Sequence, residues 1–562
     1  VHHALAIIAV RRLRAPLIFL LVVFAVSTAG LTLIPGRDAA GVPWHPTLFE
    51  AFYFVTYTAT TIGFGELRHE FNDIQRLWVT VIIYLSVIGW AYLLGSLLAL
   101  AQDKGFQASL VISRFDRSVK RLREPFYLVC GLGETGLMVA RALDQMDRHF
   151  IAVDADERRV VELELGDYGT DPSALAADAT SPEVLRMAGL LKPECRGVVA
   201  LTHDDDSNLA IAVAARLLRP GLRVICRAHD PSVMASMRTV GVEEIINPYR
   251  EFADRLAVAM RAPDAHRLLS WLTGPYDAYL PPRIPAPPGR WVVCGYGRFG
   301  TEVVRAIRAV GIEVSVVDPK TIEEDGLHAI AGSGDDADVL EEAGITKAVG
   351  LVAGTDNDTA NLAVAIAGRL LNPDLFLILR RNLVSNASLF AACGANMVMK
   401  PSELIADECL ATLRTRHLSA FLAQVRRRDN DWAASVTERL LPIVGDTTPH
   451  FWTFALTEAE APGLLGLMAR SARPILIGEI LRDIVDRTPL ACVPLMLVRG
   501  AEHVEIPEAD HALRPGDEIL FAGKTEARRQ LSRTLGNANT AGYVVTGRDD
   551  AISLIGRLLR RD

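Results

Sequence analysis

The segment TATTIGFGE, Thr58 to Glu66, lies between two long apolar runs and breaks their pattern. Glycine and short hydroxylated residues are poor helix formers. At membrane depth, backbone polar groups must be satisfied, so non-helical chain persists there only inside protein or along a water-filled path. The run before it, APLIFLLVVFAVSTAGLTLI (Ala15 to Ile34), has 20 residues without a charge, enough to cross a bilayer as a helix. A signal peptide would have a shorter apolar core followed by a cleavage site. The run after it, LWVTVIIYLSVIGWAYLLGSLLALA (Leu77 to Ala101), has 25 uncharged residues. Arg11, Arg12 and Arg14 precede the first run; Lys104, Arg114, Arg117, Lys120, Arg121 and Arg123 follow the second. The excess of positive charge puts both ends on the cytoplasmic side. Between the runs, Thr47 to Ala59 is too short to cross and reads as a re-entrant half-helix rich in aromatics. The order is helix, half-helix, Gly-rich turn, helix.

In that setting Thr58-Ala-Thr-Thr61-Ile62-Gly63-Phe64-Gly65 resembles the potassium-channel signature Thr-x-x-Thr-x-Gly-Tyr-Gly. Glycines let the backbone aim successive carbonyls at one axis. Four copies around that axis would form rings of carbonyl oxygens that replace the hydration shell of K⁺. The filter residues are then Thr61, Ile62, Gly63, Phe64 and Gly65, with the Thr61 hydroxyl as the innermost ring. The negative dipole end of the half-helix would face the ion path. Phe64 stands where the common pattern has Tyr, and Glu66 where it has Asp; both positions support the filter from behind.

Channels of this plan close where the inner helices converge. Gly89 lies near the middle of the second span and Gly95 deeper; glycine inside a helix costs roughly 1 kcal/mol relative to Ala, so either is a candidate bend point, with close packing against the first helix as the competing reading. Steps of three or four residues share a helix face. From Gly89 they lead to Leu93, Ser96 or Leu97, and Leu100. Leu97 is the expected gate residue, an apolar constriction that excludes water.

The remaining chain repeats itself. FYLVCGLGETGLMVARAL (Phe126 to Leu143) and RWVVCGYGRFGTEVVRAI (Arg290 to Ile307) each read as a strand, Gly-x-Gly-x-x-Gly and an amphipathic helix. Each is followed by a strand ending in Asp, Asp154 or Asp318, in both cases 23 residues after the first glycine. That combination is the Rossmann dinucleotide fingerprint. THDDDSNLAIAVAARLLRP (from Thr202) and TDNDTANLAVAIAGRLLNP (from Thr355) match at 11 of 19 positions, 153 residues apart. Alternating strands and helices imply a parallel, doubly wound sheet in each copy. Six prolines between Pro275 and Pro288 form a semi-rigid join.

The chain as a whole is similar to the tandem-RCK potassium channels of the bacterial, multi-ligand-gated type. RCK denotes a regulator of K⁺ conductance. The expected fold is a membrane α-helical pore followed by α/β: two Rossmann-like doubly wound RCK domains and a small α+β C-terminal lobe. The expected boundaries are pore 1–103, pore-to-ring segment 104–124, first RCK 125–274, Pro-rich linker 275–289, second RCK 290–430, and C-terminal lobe and tail 431–562. The resemblance implies a homotetramer in the inner cell membrane, multi-pass, with both termini cytoplasmic. It also implies a ring of eight RCK domains whose ligands move the inner helices.

The candidate nucleotide residues are Gly131, Gly133, Gly136, Asp154 and Asp178 in the first copy, and Gly295, Gly297, Gly300, Asp318 and Asp335 in the second. Glycines allow a phosphate close to the helix N-terminus. An acid at the ribose favours NAD or an adenine nucleotide such as ADP or AMP over NADP. Asp178 and Asp335 are assigned near the adenine by resemblance alone. Asp204, Asp205, Asp206 and Asp336 are candidate oxygen ligands for Ca²⁺, set against a solvated loop. The histidines show no metal spacing and no catalytic arrangement stands out, so no enzyme activity is expected.

The net charge of −8 over 562 residues argues against a nucleic-acid partner. The seven cysteines have no CxxC pair and read as reduced core residues. Two other readings stay open. A membrane-anchored NAD-dependent oxidoreductase would explain the Rossmann copies but not the filter stretch. A regulatory subunit of a separate K⁺ transporter would need no pore of its own.

Overall fold

The computed structural model describes residues 2–37, 42–66, 69–275, 278–415 and 417–548, with side chains of the first helix from Val10 onward. Both chain ends, and with them the tail of the 431–562 segment, lie outside the described residues. The chain divides into two compact units, Val1–Arg123 and Glu124–Asp562.

The first unit starts with α1 (His2–Leu33), followed by a two-residue antiparallel ladder of β1 (Gly36–Arg37) and β2 (Pro43–Trp44). Then come α2 (Leu48–Ala59), α3 (Asp73–Ala101) and α4 (Lys104–Arg121). Val10–Leu33 and Asp73–Ala101 are each long and apolar enough to span a bilayer. α2, with 12 residues, is not. Capping boxes fix where both inner elements begin. Thr47 Oγ1 accepts from the Glu50 amide at 3.2 Å while the Thr47 amide donates to Glu50 Oε2 at 2.9 Å. Asn72 and Gln75 repeat the exchange at the start of α3. α1 and α3 touch closely because Gly30 leaves room for the Trp78 ring. A small core of Leu31, Ala51, Val55 and Ile82 locks α2 between them. α3 ends at Gln102, and Asp103 caps α4 through the Phe106 amide at 3.0 Å while pairing with Arg12 at 2.9 Å.

In the second unit the first copy runs β3 (Phe126–Cys130), α5 (Glu134–Gln145), β4 (His149–Asp154), α6 (Glu157–Glu164), β5 (Ser173–Ala176) and α7 (Pro182–Met187). It continues with β6 (Cys195–Ala200), α8 (Asp205–Leu218), β7 (Arg223–Arg227), α9 (Pro231–Thr239) and β8 (Glu244–Ile246). The sheet is parallel in the order β5-β4-β3-β6-β7-β8. Its strands are buried apolar runs, as helices on both faces require. The order reverses between β3 and β6, where this architecture holds ligands.

Two helices follow, α10 (Pro248–Arg261) and α11 (Pro263–Thr273). The second copy repeats the plan with β9 (Trp291–Cys294), α12 (Arg298–Ala309), β10 (Val314–Asp318), β11 (His328–Ala331), α13 (Ala337–Glu342), β12 (Gly350–Ala353), α14 (Asp358–Leu371), β13 (Phe376–Arg380), α15 (Ala387–Ala392) and β14 (Met397–Met399). The strand order is β11-β10-β9-β12-β13-β14, again parallel.

The two copies exchange helices. From the first copy, α10 puts Tyr249, Phe252 and Leu256 against Phe299, Val303 and Ile307 of α12. From the second, α16 (Pro401–Arg414) puts Ile405, Cys409 and Leu413 into the core of Leu132, Leu137 and Ala140 around α5. The Pro-rich linker does not hang free: the Leu280 amide donates to the Asp446 carbonyl at 2.7 Å, and the Thr448 amide to the Ala278 carbonyl at 2.8 Å.

Beyond α16, α17 (Leu418–Val425) and α18 (Asn430–Val444) pack with α11 in one core. The lobe that follows contains β15 (His450–Ala455), α19 (Pro462–Met468), α20 (Ile477–Ile480), β16 (Cys492–Arg499), β17 (Glu502–Glu505), β18 (Glu518–Gly523), α21 (Thr525–Gly536) and α22 (Ala538–Thr546). Its sheet is antiparallel, β15-β18-β16-β17, so the lobe is α+β. Six of the seven cysteines are buried thiols and the seventh, Cys393, is half-buried.

A buried charge network joins the exchanged helices. Arg255 of α10 meets Glu408 of α16 at 2.8 Å and Asp407 at 3.9 Å; Arg426 meets Glu408 at 2.9 Å and Glu251 at 2.8 Å. Burial pushes the Asp407 carboxyl up to about 6 and the nearby His266 imidazole down to about 4. Between the unfolded value of 3.8 and about 6, the folded chain holds a proton on Asp407 that the unfolded chain has lost, so this group lowers stability as pH rises. His266 acts the other way: from about 4 to 6.5 only the unfolded chain is protonated, so stability rises with pH. The two offset each other. Asp407→Asn is therefore expected to leave a chain whose thermal midpoint drops more steeply than the parent's on acidification from pH 6.5 to 4. His266→Ala is expected to reverse that difference.

Candidate functional site

α2 stops at Ala59, and the turn after it alternates in backbone sign. Thr61, Gly63 and Gly65 have φ of 62°, 64° and 71°, while Ile62 and Phe64 are not in the positive region. Alternation of this kind turns successive carbonyls to one side of the chain. The turn is hung from the half-helix. The Ile62 and Gly63 amides both donate to the Tyr57 carbonyl, at 2.9 and 3.2 Å, and the Thr61 amide to Thr58 at 3.1 Å. Behind it, Tyr53 and Tyr57 hydroxyls donate to Glu66, at its Oε2 (3.2 Å) and its carbonyl (3.3 Å). The Phe64 ring lies edge-on to Tyr57, centroids 6.0 Å apart. The tyrosines were visible in the sequence as packing aromatics; their bonds to Glu66 were not. A Cβ at Gly63 or Gly65 would meet nothing within 4 Å in the chain, so these glycines answer a conformational need.

The inner helix gives one of the candidate bend glycines a packing role. A Cβ on Gly89 would meet Leu20 Cδ1 at 3.0 Å, and Ile82, Ser86, Gly89 and Leu100 are all buried. The face that passes through Gly89 is the one packed on α1, so close packing accounts for this glycine. Gly95 has open space around it. Leu97 lies beside that face rather than on it and is 43% exposed in the single chain.

In the first RCK-like copy the three glycines divide the work. Gly131 has φ 99° and lies where a Cβ would meet the Leu201–Thr202 backbone at 2.8 Å. A Cβ on Gly136 would run into the Gly131 carbonyl oxygen, while Gly133 faces open space. Gly295, Gly300 and Gly297 repeat these roles. Both acids are set alike. Asp154 accepts from the Leu132 amide and, at 2.7 Å, from Asp156; Asp318 accepts from Tyr296 at 2.7 Å and Lys320 at 2.9 Å. Asp178 accepts from the Thr180 amide at 2.9 Å, and Asp335 from the Ser333 hydroxyl. A cleft of about 520 Å³ opens at the first switch point and is lined by Gly131, Gly133, Asp154, Asp178, Arg227 and Ser402, among others. Four of these were expected. Ser402 comes from the second copy and donates to Glu134 Oε2 at 3.0 Å. Arg227 had a legible signal: an arginine ends the same strand in both copies, 153 residues apart at Arg380. A second cleft of similar size lies at the opposite edge of the second sheet, lined by Arg290, Arg308, Ser315 and His328.

The proposed Ca²⁺ ligands do not converge. Asp204 caps α8 through the Ser207 amide at 2.8 Å, and Asp336 caps α13 through Asp338 at 3.0 Å. Asp205 turns inward, 7% exposed, and accepts from the His229 and Asp230 amides at 2.9 and 2.8 Å. Asp206 is exposed on the first turn of α8. No group of three or more His, Cys, Asp or Glu side chains is placed to hold a metal among the described residues. Aspartates at helix starts satisfy free amides, which is what Asp204 and Asp336 do.

Two family models match the chain. The family described as "Ion channel" matches residues 18–103, and "TrkA-N domain" matches twice, at 127–248 and 291–401. Potassium channel protein 1 of Methanocaldococcus jannaschii is 25% identical over 203 residues, 36% of this chain and 59% of that protein. The Trk system potassium uptake protein TrkA homolog of Archaeoglobus fulgidus is 21% identical over 71% of this chain and 97% of its own length. The solved structure "GsuK channel bound to NAD" covers 95% of this chain and 99% of its own at 15% identity, with a TM-score of 0.48. The chain spans less than two thirds of the length of the first potassium channel relatives it matches, 59% and 57%.

Proposed function

We propose that this chain, a tandem-RCK potassium channel by its ion-channel domain and paired TrkA-N domains, acts as one subunit of a tetrameric K⁺-selective pore. The pore lies in the cell membrane with both chain ends cytoplasmic, is opened or closed by an adenine nucleotide such as NAD or ADP, and catalyses no reaction. The observation that carries this reading is the sign alternation at Thr61, Gly63 and Gly65 at the end of a half-helix. Four such turns would line an axis with the carbonyls of Thr61, Ile62, Gly63 and Phe64. The regulatory ligand is a nucleotide rather than Ca²⁺ at the named aspartates, because Asp204 and Asp336 are taken up by helix caps and Asp205 by the His229 loop, which leaves Asp206 alone in solvent.

The test is K⁺ and Na⁺ flux from liposomes carrying the purified chain, with and without NAD or ADP. K⁺-selective flux that changes with nucleotide is expected. Flux only alongside another K⁺ transporter would favour the regulatory-subunit reading. Oxidation of a substrate with NAD, without K⁺ flux, would favour the oxidoreductase.

Leu97 remains the proposed gate, on the ground of its exposure rather than of a face shared with Gly89. Four leucines meeting would exclude water, and four aspartates would repel each other and hydrate the path. Leu97→Asp is expected to raise nucleotide-free K⁺ flux several-fold. Unchanged flux in folded tetramers would move the gate to Leu94 or Leu98, which are also exposed.

A further inference from the structure

The duplication supplies an internal control for the nucleotide cleft. Arg227 ends β7 and Arg380 ends β13, at equivalent positions. In the second copy both terminal nitrogens of the guanidinium have partners. Arg380 is 7% exposed, its Nη1 lies 2.6 Å from Asp356 Oδ1, and its Nη2 donates to the Tyr249 hydroxyl at 3.2 Å. It also stacks on the Tyr249 ring, 4.9 Å from the centroid.

In the first copy the residue at the Asp356 position is His203. Arg227 lines the cleft and has no ion pair within 4 Å among the described residues; its Nε is buried without a hydrogen-bond partner, as is that of Arg380, so the copies differ at the terminal nitrogens. The carboxylate that attracts it from farther away, Asp205, is already bonded to the His229 amide and ring. Burial disfavours the guanidinium charge, as expected for a cation drawn out of water without a partner. The glycine turn and the start of α5 lie in the same cleft, where a phosphate would meet backbone amides as well. Glu134 opposes this with a negative charge, but Ser402 holds one of its oxygens on the α16 side.

We infer that the first copy takes the phosphates of an adenine nucleotide on Arg227, and that the second is kept from doing so because Asp356 stands where a phosphate would. The pair His203/Asp356, together with the neighbouring duplicated pair Ser402/Tyr249, then sets the difference between the two sites. This rests on the nucleotide reading given above. Arg298 is the counter-candidate, since it opens α12 in the second copy and sits over the Tyr249 ring at 5.9 Å.

The experiment is calorimetric titration of the full-length detergent-solubilised channel with ADP, and with adenosine as a probe lacking phosphate. One ADP per subunit is expected for the parent. His203→Asp, a change at an exposed position, should weaken ADP by roughly 10-fold or more, the size of one hydrogen bond to a charged group, and leave adenosine unchanged. Asp356→His should raise the count toward two. Two equal ADP sites in the parent, or undiminished ADP binding in His203→Asp, would overturn the inference while leaving the nucleotide reading intact. So would loss of binding in Arg298→Ala with none in Arg227→Met. Absence of any ADP and NAD binding to the parent would overturn both.

Discussion

Gly63→Ala is expected to abolish K⁺-selective flux without dissociating the proposed tetramer. Gly63 sits at φ 64° with nothing within 4 Å of where a Cβ would go. The substitution therefore meets no clash inside the chain, and its whole effect comes from the backbone. An L-residue in the left-handed region costs roughly 1–2 kcal/mol, and four copies in one ring multiply it. Thr61 already holds this conformation without being glycine, at φ 62°, so the turn has little tolerance left. The cheapest relief is a peptide flip that turns a carbonyl away from the axis and an amide toward it, which removes an oxygen ring from the ion path. Rb⁺ uptake into liposomes, compared with Na⁺ uptake, measures it. Selective flux equal to the parent's would show that carbonyls here do not carry the ion.

The second large effect is expected at Arg255. Removing one partner from a buried ion pair costs about 3–5 kcal/mol, because the other charge stays behind without compensation. Arg255→Met would leave Glu408 with Arg426 alone, next to Asp407 and Glu251, at the contact of α10 and α16. A drop in the thermal midpoint on the order of 10 °C is expected. Adding Glu408→Gln should recover part of it, since both members of the pair are then uncharged. A single variant as stable as the parent would mean that water or a neighbouring group compensates the site.

The parts of the chain that could be read from sequence are those set by local rules. The turn at Thr61–Gly65, its half-helix and the glycine fingerprints each occupy a few consecutive residues whose backbone needs dictate the residue types. The duplicated sheets followed from spacing, since equivalent residues recur at fixed separations. The acidic cluster at Asp204–Asp206 misled because spacing does not say where a side chain points: one caps a helix, one turns inward to the His229 loop, and one is in solvent. At Gly89 bend and close packing stayed open for a related reason, since periodicity finds a face but not what the face packs against. The exchange of α10 and α16 left no sequence signal, because the apolar stripe of a helix looks the same whichever sheet it covers.

That exchange also bears on how the chain comes into being. Two separate domains paired through crossed terminal helices would have to meet by diffusion and would part on dilution. Here the halves are joined by the stretch 275–289, which keeps each one near the other at an effective concentration of roughly millimolar, the order found for short tethers. A newly synthesised chain therefore finds its internal partner before it meets another chain. With that pairing settled within one polypeptide, each half has a single fixed neighbour to suit, and a change in one half need not be matched on a second chain.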